Sequence, residues 1–463
     1  MDTTTTQPLP AFTGPVLRPG DAAYDEEVSG FQAAYTHRPA LVVGAADAED
    51  VRAAVAYAGA AGLPVAVQAT GHGLSAAAGD GEGVLISTRR MTGVRIDPEA
   101  RTARVEAGVR AGALIEAAAA HRLAPLNGSS PSVGVVGYTL GGGVGLLARQ
   151  FGYAAEHVRA VEMVTADGEL RRLEPGEPLF GAVLGSGGNF GVVTALELDL
   201  LPVRTLYGGQ LVFGAPHVEE ALETWRRWCA EVPEALTSSV TLLGLPDIPQ
   251  VPEPMRGRYI ASVRVAFNGP EEEGERLVAP LRALGPRLKD ELRTMPYAEC
   301  GTIHSDPEEP HPYTATNALL SELTPGAARD LLAVAGPDSP VPCVVDVRHL
   351  GGALRERGPH GIAVDHREAE FAVRIISMPG TGPGASDPEA LRARHALVRE
   401  TLAPWTLGHS LTFLYGDGEH ADEDQTREGY APETYARLAA LKAEHDPDNL
   451  FRFNRNVRPA RHG

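Results

Sequence analysis

Ala69-Thr70-Gly71-His72-Gly73 stands directly behind residues 64–68, a short apolar run that ends at Gln68 and reads as a β-strand. Two more glycine clusters follow. One is Gly134-Val135-Val136-Gly137-Tyr138-Thr139-Leu140-Gly141-Gly142-Gly143-Val144-Gly145, and the other is Gly185-Ser186-Gly187-Gly188-Asn189-Phe190-Gly191, which leads into a strand through Val193. A glycine cluster lets backbone N–H groups approach an anion closely. One such cluster is commonly an ordinary turn. Three flanked by regular elements point to a large phosphate-bearing cofactor. None is a Rossmann fingerprint, because the second follows a Ser/Pro loop and the third precedes a strand. No Lys follows any of them, so a Walker A loop is absent as well.

Outward from these clusters, helix and strand patterns alternate. Asp47 is placed to cap a helix over 49–61 whose Val51, Val55 and Ala58 share one face. Strands are expected at 41–43 and 84–87, a hairpin at 94–96 and 102–107, and a helix at 111–121. A second hairpin at 158–165 and 169–173 turns on Asp167-Gly168. Leu196, Leu198 and Leu200 alternate with Glu197 and Asp199 as in a half-buried strand. Residues 1–37 are turn-rich and read as an arm on the surface of this part. After residue 204 the texture changes to strands at 206–213, 238–243 and 259–267 and helices at 218–230, 271–284, 326–334 and 388–402. That is an α+β pattern: an antiparallel sheet with helices on one side. A last helix, 432–445, leads into Asp446-Pro447-Asp448-Asn449.

The chain of 463 residues is long enough for two or three domains. Its net charge of −19 argues against nucleic acid and against an anionic membrane surface. No apolar run reaches the roughly 18 residues of a membrane span. The polar first ten residues show no secretory pattern, so the expected location is cytoplasmic. Cys229, Cys300 and Cys343 lie far apart without ligand spacing, which speaks against a metal site and a disulfide framework. Only Lys289 and Lys442 among the basic residues are lysine, a composition that suggests a GC-rich bacterial source.

The order of these segments resembles the berberine-bridge-enzyme-like flavoproteins of the vanillyl-alcohol-oxidase superfamily. The matching stretches are 38–43, 65–72, 130–137, Gly141-Gly142-Gly143, 187–194 and, most specific, Asp446-Pro447-Asp448-Asn449-Leu450-Phe451-Arg452-Phe453-Asn454-Arg455-Asn456. The resemblance implies a PCMH-type FAD-binding domain built from both chain ends, 1–204 and 426–463, around a central α+β substrate domain, 205–425. It places FAD against Gln68, Ala69, Thr70, Gly71, His72 and Gly73. The second cluster would contribute Ser130, Val133, Gly134, Gly137, Tyr138, Gly141, Gly142 and Gly145. Gly188, Gly191 and Val193 would line the cofactor, with Asn454 and Asn456 near its ring.

Within that frame His72 is the candidate for a covalent bond to the flavin 8α-methyl; the alternative is a loop histidine that only hydrogen-bonds a carbonyl. Ser130 falls where relatives carry a second attachment through Cys, and Ser cannot form a thioether, so a single attachment is expected. Val133 occupies the stretch that gates oxygen in relatives, where a small residue resembles the oxidases. Ser410 falls where relatives often carry a Tyr, which leaves Tyr415, His349, His366 and Arg367 as candidate catalytic groups from the central region. For His349, next to Arg348, and for the His366-Arg367 pair, the plain alternative is a strand-end charge or salt bridge. Arg226-Arg227 and Arg171-Arg172 read as solvated faces, and Trp225 and Trp228 as core.

The expected activity is that of an FAD-dependent oxidase. A hydride leaves a small organic substrate for flavin N5, molecular oxygen is the acceptor, hydrogen peroxide is formed, and the setting is bacterial secondary metabolism. The alternative is a non-redox cyclase of the same fold that uses the flavin as scaffold.

Overall fold

The computed structural model describes residues 8–74, 79, 81–380, 385–415 and 423–461. The polar residues 1–7, and residues 75–78 and 80 of the first glycine-rich stretch, lie outside the described residues.

The first sheet comprises β1 (Val16–Leu17), β2 (Leu41–Gly44), β3 (Val65–Gln68) and β4 (Val84–Ser87) in the order β1-β2-β4-β3. β2, β4 and β3 are parallel. β2 and β4 are apolar nearly throughout because both of their faces are buried. The helix Ala48–Ala61 starts where Asp47 accepts from Asp50 N at 3.0 Å and stops at Gly62, whose φ of +65° no β-carbon favours. The second sheet, in the order β5-β6-β9-β7-β8, holds β5 (Val94–Asp97), β6 (Thr102–Glu106), β7 (Val158–Val164), β8 (Leu170–Leu173) and β9 (Val192–Asp199).

Residues 16–37 are not a surface arm. β1 adds an antiparallel edge to the first sheet. Tyr24 and Val28, one helical turn apart, bury against Val42, Ala66 and Leu85, and the Tyr24 hydroxyl donates to Pro39 O at 2.7 Å. Apolar area on a short turn was enough to dock it.

The third sheet is ten-stranded and antiparallel apart from one short parallel pairing. Its strands are β10 (Thr205–Gly214), β11 (Leu236–Gly244), β12 (Tyr259–Phe267), β13 (Lys289–Asp290), β14 (Arg293–Pro296), β15 (Thr314–Leu320), β16 (Val344–His349), β17 (Phe371–Pro379), β18 (Ala385–Ser386) and β19 (Thr406–Gly408). The central order is β10-β12-β11-β16-β17-β15. One face carries Val240, Leu242, Val263, Val265, Val347 and Val373 and packs on the helices Val218–Trp228, Glu271–Arg282, Pro325–Ala335 and Pro388–Leu402. Trp225 and Trp228 are core, as their spacing predicts.

The other face is polar and still mostly buried. Register places Ser262, Thr241, Asp346, Arg374 and Asn317 in one cross-strand row. Gln210, Arg264, Ser239 and Arg348 form the adjacent row. Period-two alternation in each strand puts these side chains on the same side.

The C-terminal helix Pro432–His445 ends at a fully buried ion pair, Lys442 Nζ to Asp446 Oδ2 at 2.7 Å. Lys442 also donates to the carbonyls of Asn189 and Phe451, and Val65 N donates to Leu450 O at 2.9 Å. The chain's end thereby meets both the third glycine cluster and the first sheet.

Candidate active site

The three glycine clusters converge. A β-carbon built on Gly134 would lie 3.5 Å from Thr70 Oγ1, joining the first to the second. Gly187 N donates to Leu140 O at 3.0 Å, joining the second to the third. Asn454 Nδ2 donates to Gly188 O at 3.0 Å and Asn189 Nδ2 to Arg455 O at 3.0 Å, joining the third to the C-terminal segment. Around this junction, β-carbons built on Gly73, Gly137 and Gly187 would meet no atom of the described residues within 4 Å. The buried oxygens Gln68 Oε1, Ser186 Oγ, Asn454 Oδ1 and Asn456 Oδ1 have no hydrogen-bond partner among the described residues. Open space beside glycine backbone together with orphaned buried oxygens is what a large polar cofactor would fill.

The other expected glycines serve close packing of the chain on itself. A β-carbon on Gly71 would sit 2.6 Å from Gly30 Cα, on Gly141 2.0 Å from Thr412 Cγ2, on Gly142 2.9 Å from Val364 Cγ2, on Gly145 2.0 Å from Asn127 O, and on Gly191 2.3 Å from Val164 O. Val193 is in the core. Val133 and Tyr138 border a further cavity, and the buried Tyr138 hydroxyl has no hydrogen-bond partner among the described residues.

His72 lies at the junction. Its ring stacks on Phe31 at 3.9 Å and 8°. Nδ1 is 3.0 Å from Thr70 Oγ1 and Nε2 is 3.0 Å from Ser132 Oγ. Ser132 Oγ is in turn 2.8 Å from Ser130 Oγ. Burial first, then Arg110, pushes the imidazole down to about 4, so it is neutral near pH 7. The large sheet reaches this histidine through Tyr313, whose hydroxyl donates to His72 O at 2.7 Å and whose ring meets Tyr415 edge-on at 5.3 Å.

Beyond Tyr415 is the polar sheet face. Asp346 is shared by three guanidinium groups, Arg348 at 2.9 Å, Arg374 at 3.5 Å and Arg264 at 3.8 Å. Burial alone would raise its carboxyl, but these cations hold it well below the usual carboxylate range. Arg348 and Arg374 also lie over the Phe413 ring, at 5.3 and 4.7 Å. Two cavities flank Arg348. One, of about 610 Å³, runs from Gly141 and Val144 to Ser410 and Phe413. The other, of about 440 Å³, is bounded by Ser129, Val144, Ser239, Arg264 and His304.

Of the four expected catalytic groups the structure brings Tyr415 here, beside Arg374 and Arg348, and sets His349 in the wall of the smaller cavity. Residues 411–413 form a 3-10 turn that breaks strand parity, and Tyr415 then pairs with Ala315. The buried His349 ring stacks on Phe371 at 5.7 Å. His366 Nε2 contacts Glu428 O at 3.1 Å. Arg367 is buried in an ion pair with Glu156 at 2.7 Å, the plain alternative for that pair. Ser410 bonds Thr412 at 2.8 Å and Asn317 through its backbone.

Residues 39–174 match the family described as FAD binding domain, and residues 419–458 match the family described as berberine and berberine like. Across 97% of this chain and 97% of its own length, (R)-6-hydroxynicotine oxidase of Paenarthrobacter nicotinovorans is 30% identical. The chain belongs to the berberine-bridge-enzyme-like FAD-linked oxidoreductases. An FAD-linked oxidoreductase of Dictyostelium discoideum is 25% identical over 97% of the chain and 95% of that protein. The structure of 6-hydroxy-D-nicotine oxidase from Arthrobacter nicotinovorans superimposes with a TM-score of 0.83 at 27% identity, covering 98% of this chain and 99% of that one. A chitooligosaccharide oxidase has the same fold, with a TM-score of 0.82 at 20% identity over 97% and 98% of the two chains. This berberine-bridge-enzyme-like chain is therefore an oxidoreductase with an FAD-binding domain, and its open glycine junction suits that cofactor. Among the described residues no helix is long and apolar enough to cross a membrane.

Arg264, Ser239, Arg374, Tyr313 and the His304–Asp306 loop were not singled out in the sequence. A usable signal was present for the strands: Thr237, Ser239 and Thr241, Ser262 and Arg264, and Asp346 and Arg348 each alternate with apolar residues in stretches too apolar to be surface.

Proposed function

We propose that this protein is an FAD-dependent oxidase of a small organic substrate, with FAD held by residues 1–204 and 426–463, and with substrate placed by residues 205–425. The observation that carries the reading is the Tyr313 link, which joins the open glycine junction at His72 to the polar, cavity-lined face of the large sheet. FAD, when bound, would supply a two-electron acceptor for hydride from a substrate C–H bond, with molecular oxygen as the final acceptor and hydrogen peroxide as the product.

The chain's own residues would do the rest. The neutral His72 imidazole keeps a lone pair for a single covalent bond at the 8α-methyl, and Thr70 and Ser132 fix the ring plane. Ser130 has no thiol for a second bond. Tyr415, with a phenol raised by burial against the pull of Arg374 and Arg348, stays protonated and offers a hydrogen bond that orients the reacting group. The α+β sheet and its helices exclude water from that contact. The GC-rich composition fits an enzyme that tailors a bacterial secondary metabolite.

The test is purified protein precipitated in acid. Yellow colour stays with the pellet of the parent and leaves with the supernatant for His72→Ala. Anaerobic bleaching by a substrate panel beginning with (R)-6-hydroxynicotine, followed by peroxide release on readmitting air, establishes the oxidase. A substrate that is converted without bleaching establishes the non-redox cyclase instead.

A further inference from the structure

The smaller cavity beside Arg348 differs in chemistry from its neighbour. Among the described residues no Asp or Glu lines it, whereas Asp365 lines the larger one. Arg264 and Arg348 supply its charge, and Thr237, Ser239 and Ser129 supply hydroxyls. Three of its polar atoms, Arg264 Nε, Ser239 Oγ and Thr237 Oγ1, are buried with no hydrogen-bond partner among the described residues. The nearest carboxylates, Asp346 and Asp306, both face these arginines and offset their charge only in part. Asp346 is divided among three arginines, and Asp306 accepts from Ser129 at 2.5 Å. A chain of net charge −19 has thus gathered three guanidinium groups on one buried sheet face. Three guanidinium groups against two carboxylates leave an excess of buried positive charge, which is expensive, so such a cluster persists where a ligand completes it.

We propose that this cavity is an anion subsite that holds a carboxylate of the oxidised substrate, so that the enzyme acts on an organic acid. The proposal rests on the oxidase reading. Arg264 and Arg348 would take the carboxylate oxygens, guanidinium groups being suited to paired contacts with a planar anion, and Ser239 and Thr237 would donate to the remaining lone pairs. The cavity neighbours the larger one, Arg348, Val144 and Leu350 lining both. A molecule anchored by its acid group therefore extends toward Gly141 and Phe413, the part nearer the glycine junction. An ammonium group would meet like charge at Arg264.

The experiment is calorimetric titration of the purified, flavin-containing full-length protein with sodium benzoate, benzamide and sodium phosphate at fixed ionic strength. Benzoate should bind at least about tenfold more tightly than benzamide, and more weakly as salt is raised. Arg264→Gln should weaken benzoate about 10- to 100-fold, the scale of hydrogen bonds to a charged group, and leave benzamide unchanged, while Arg264→Lys retains part of the affinity. Should Arg264→Gln fail to fold, Ser239→Ala combined with Thr237→Val should weaken benzoate several-fold. Equal affinity for benzoate and benzamide, no benzoate binding, or an unaltered benzoate affinity in the variants overturns the proposal. Phosphate binding with benzoate excluded also overturns it, in favour of an inorganic anion. Protein that holds no flavin defeats the oxidase reading instead, and the titration still reports on the anion subsite.

Discussion

Asp446→Asn tests how the C-terminal segment is held to the glycine junction. The Asp446 carboxylate accepts from Lys442 Nζ at 2.7 Å, Leu450 N at 2.7 Å and Phe451 N at 3.0 Å. Both side chains of the pair are out of solvent, at 0% and 1% exposure. Burial pushes the Lys442 amine down to about 8 even with Asp446 opposing. Removing the carboxylate charge leaves an ammonium facing only the carbonyls of Asn189 and Phe451. Breaking a buried pair in this way costs about 3–5 kcal/mol. Unfolding entropy of about 2.1 cal/mol/K per residue makes about 1 kcal/mol/K for a chain of this size, so the melting midpoint should fall by at least about 3–5 °C. Flavin content should fall with it, because Lys442 also ties down Asn189, which bridges Ser186 O and Arg455 O. Lys442→Met added to Asp446→Asn removes the stranded charge and should recover most of the loss. The assay is differential scanning calorimetry of the four proteins of this cycle alongside flavin absorbance. A midpoint unchanged in Asp446→Asn, or a double variant no better than the single, refutes the reasoning.

Three further outcomes are expected. Burial pushes His37 to about 4, His349 to about 3 and His409 to about 4; between those values and 6.5 the unfolded chain binds more protons than the native one, so stability falls as pH drops, by about 1.4 kcal/mol per unit for each histidine. Urea denaturation at pH 7, 6 and 5 reads this, and a flat profile contradicts it. Arg367→Met removes the partner of Glu156 and should lower the melting midpoint by about 3 °C or more without slowing flavin reduction; a slower reduction at an unchanged midpoint would place Arg367 in the chemistry. Tyr415→Phe keeps the ring contact with Tyr313 and removes the hydroxyl, so anaerobic stopped flow should show reduction slowed about 10-fold, the scale of one lost hydrogen bond, with flavin content unchanged. A parental rate would leave a bare hydride transfer.

The helices 388–402 and 432–445 and the strand 259–267 were readable to the residue, since each presents one apolar face and has clear ends. β15 was not readable, because every one of its seven residues is buried and no alternation remains. The glycine clusters were legible as a group but not one by one. Gly137 borders open space and Gly145 packs on Asn127 O, and no local pattern distinguishes them. Arg367 looked like a free polar group because its partner, Glu156, is 211 positions away in the chain. Phe31, which stacks on His72, comes from a segment whose composition reads only as turns. Long-range pairing of this sort is decided by topology, and a single sequence carries no trace of it.

The large sheet has one buried apolar face and one buried polar face, and the second is the costlier. A buried hydroxyl without a partner costs about 1–3 kcal/mol, and Ser239 Oγ, at a residue 3% exposed, is such a group. If that hydroxyl served only the fold, removing it should do harm or nothing. If it is kept for a ligand, Ser239→Ala should raise the melting midpoint of the ligand-free protein by about 1 °C, from about 1 kcal/mol gained, and at the same time weaken benzoate binding. Opposite signs for stability and binding are the mark of a position held for function at the expense of the fold. A midpoint that falls in Ser239→Ala would mean that the hydroxyl is satisfied by the protein itself, and that the polar face is held together by its own ladder of rows rather than by what binds against it.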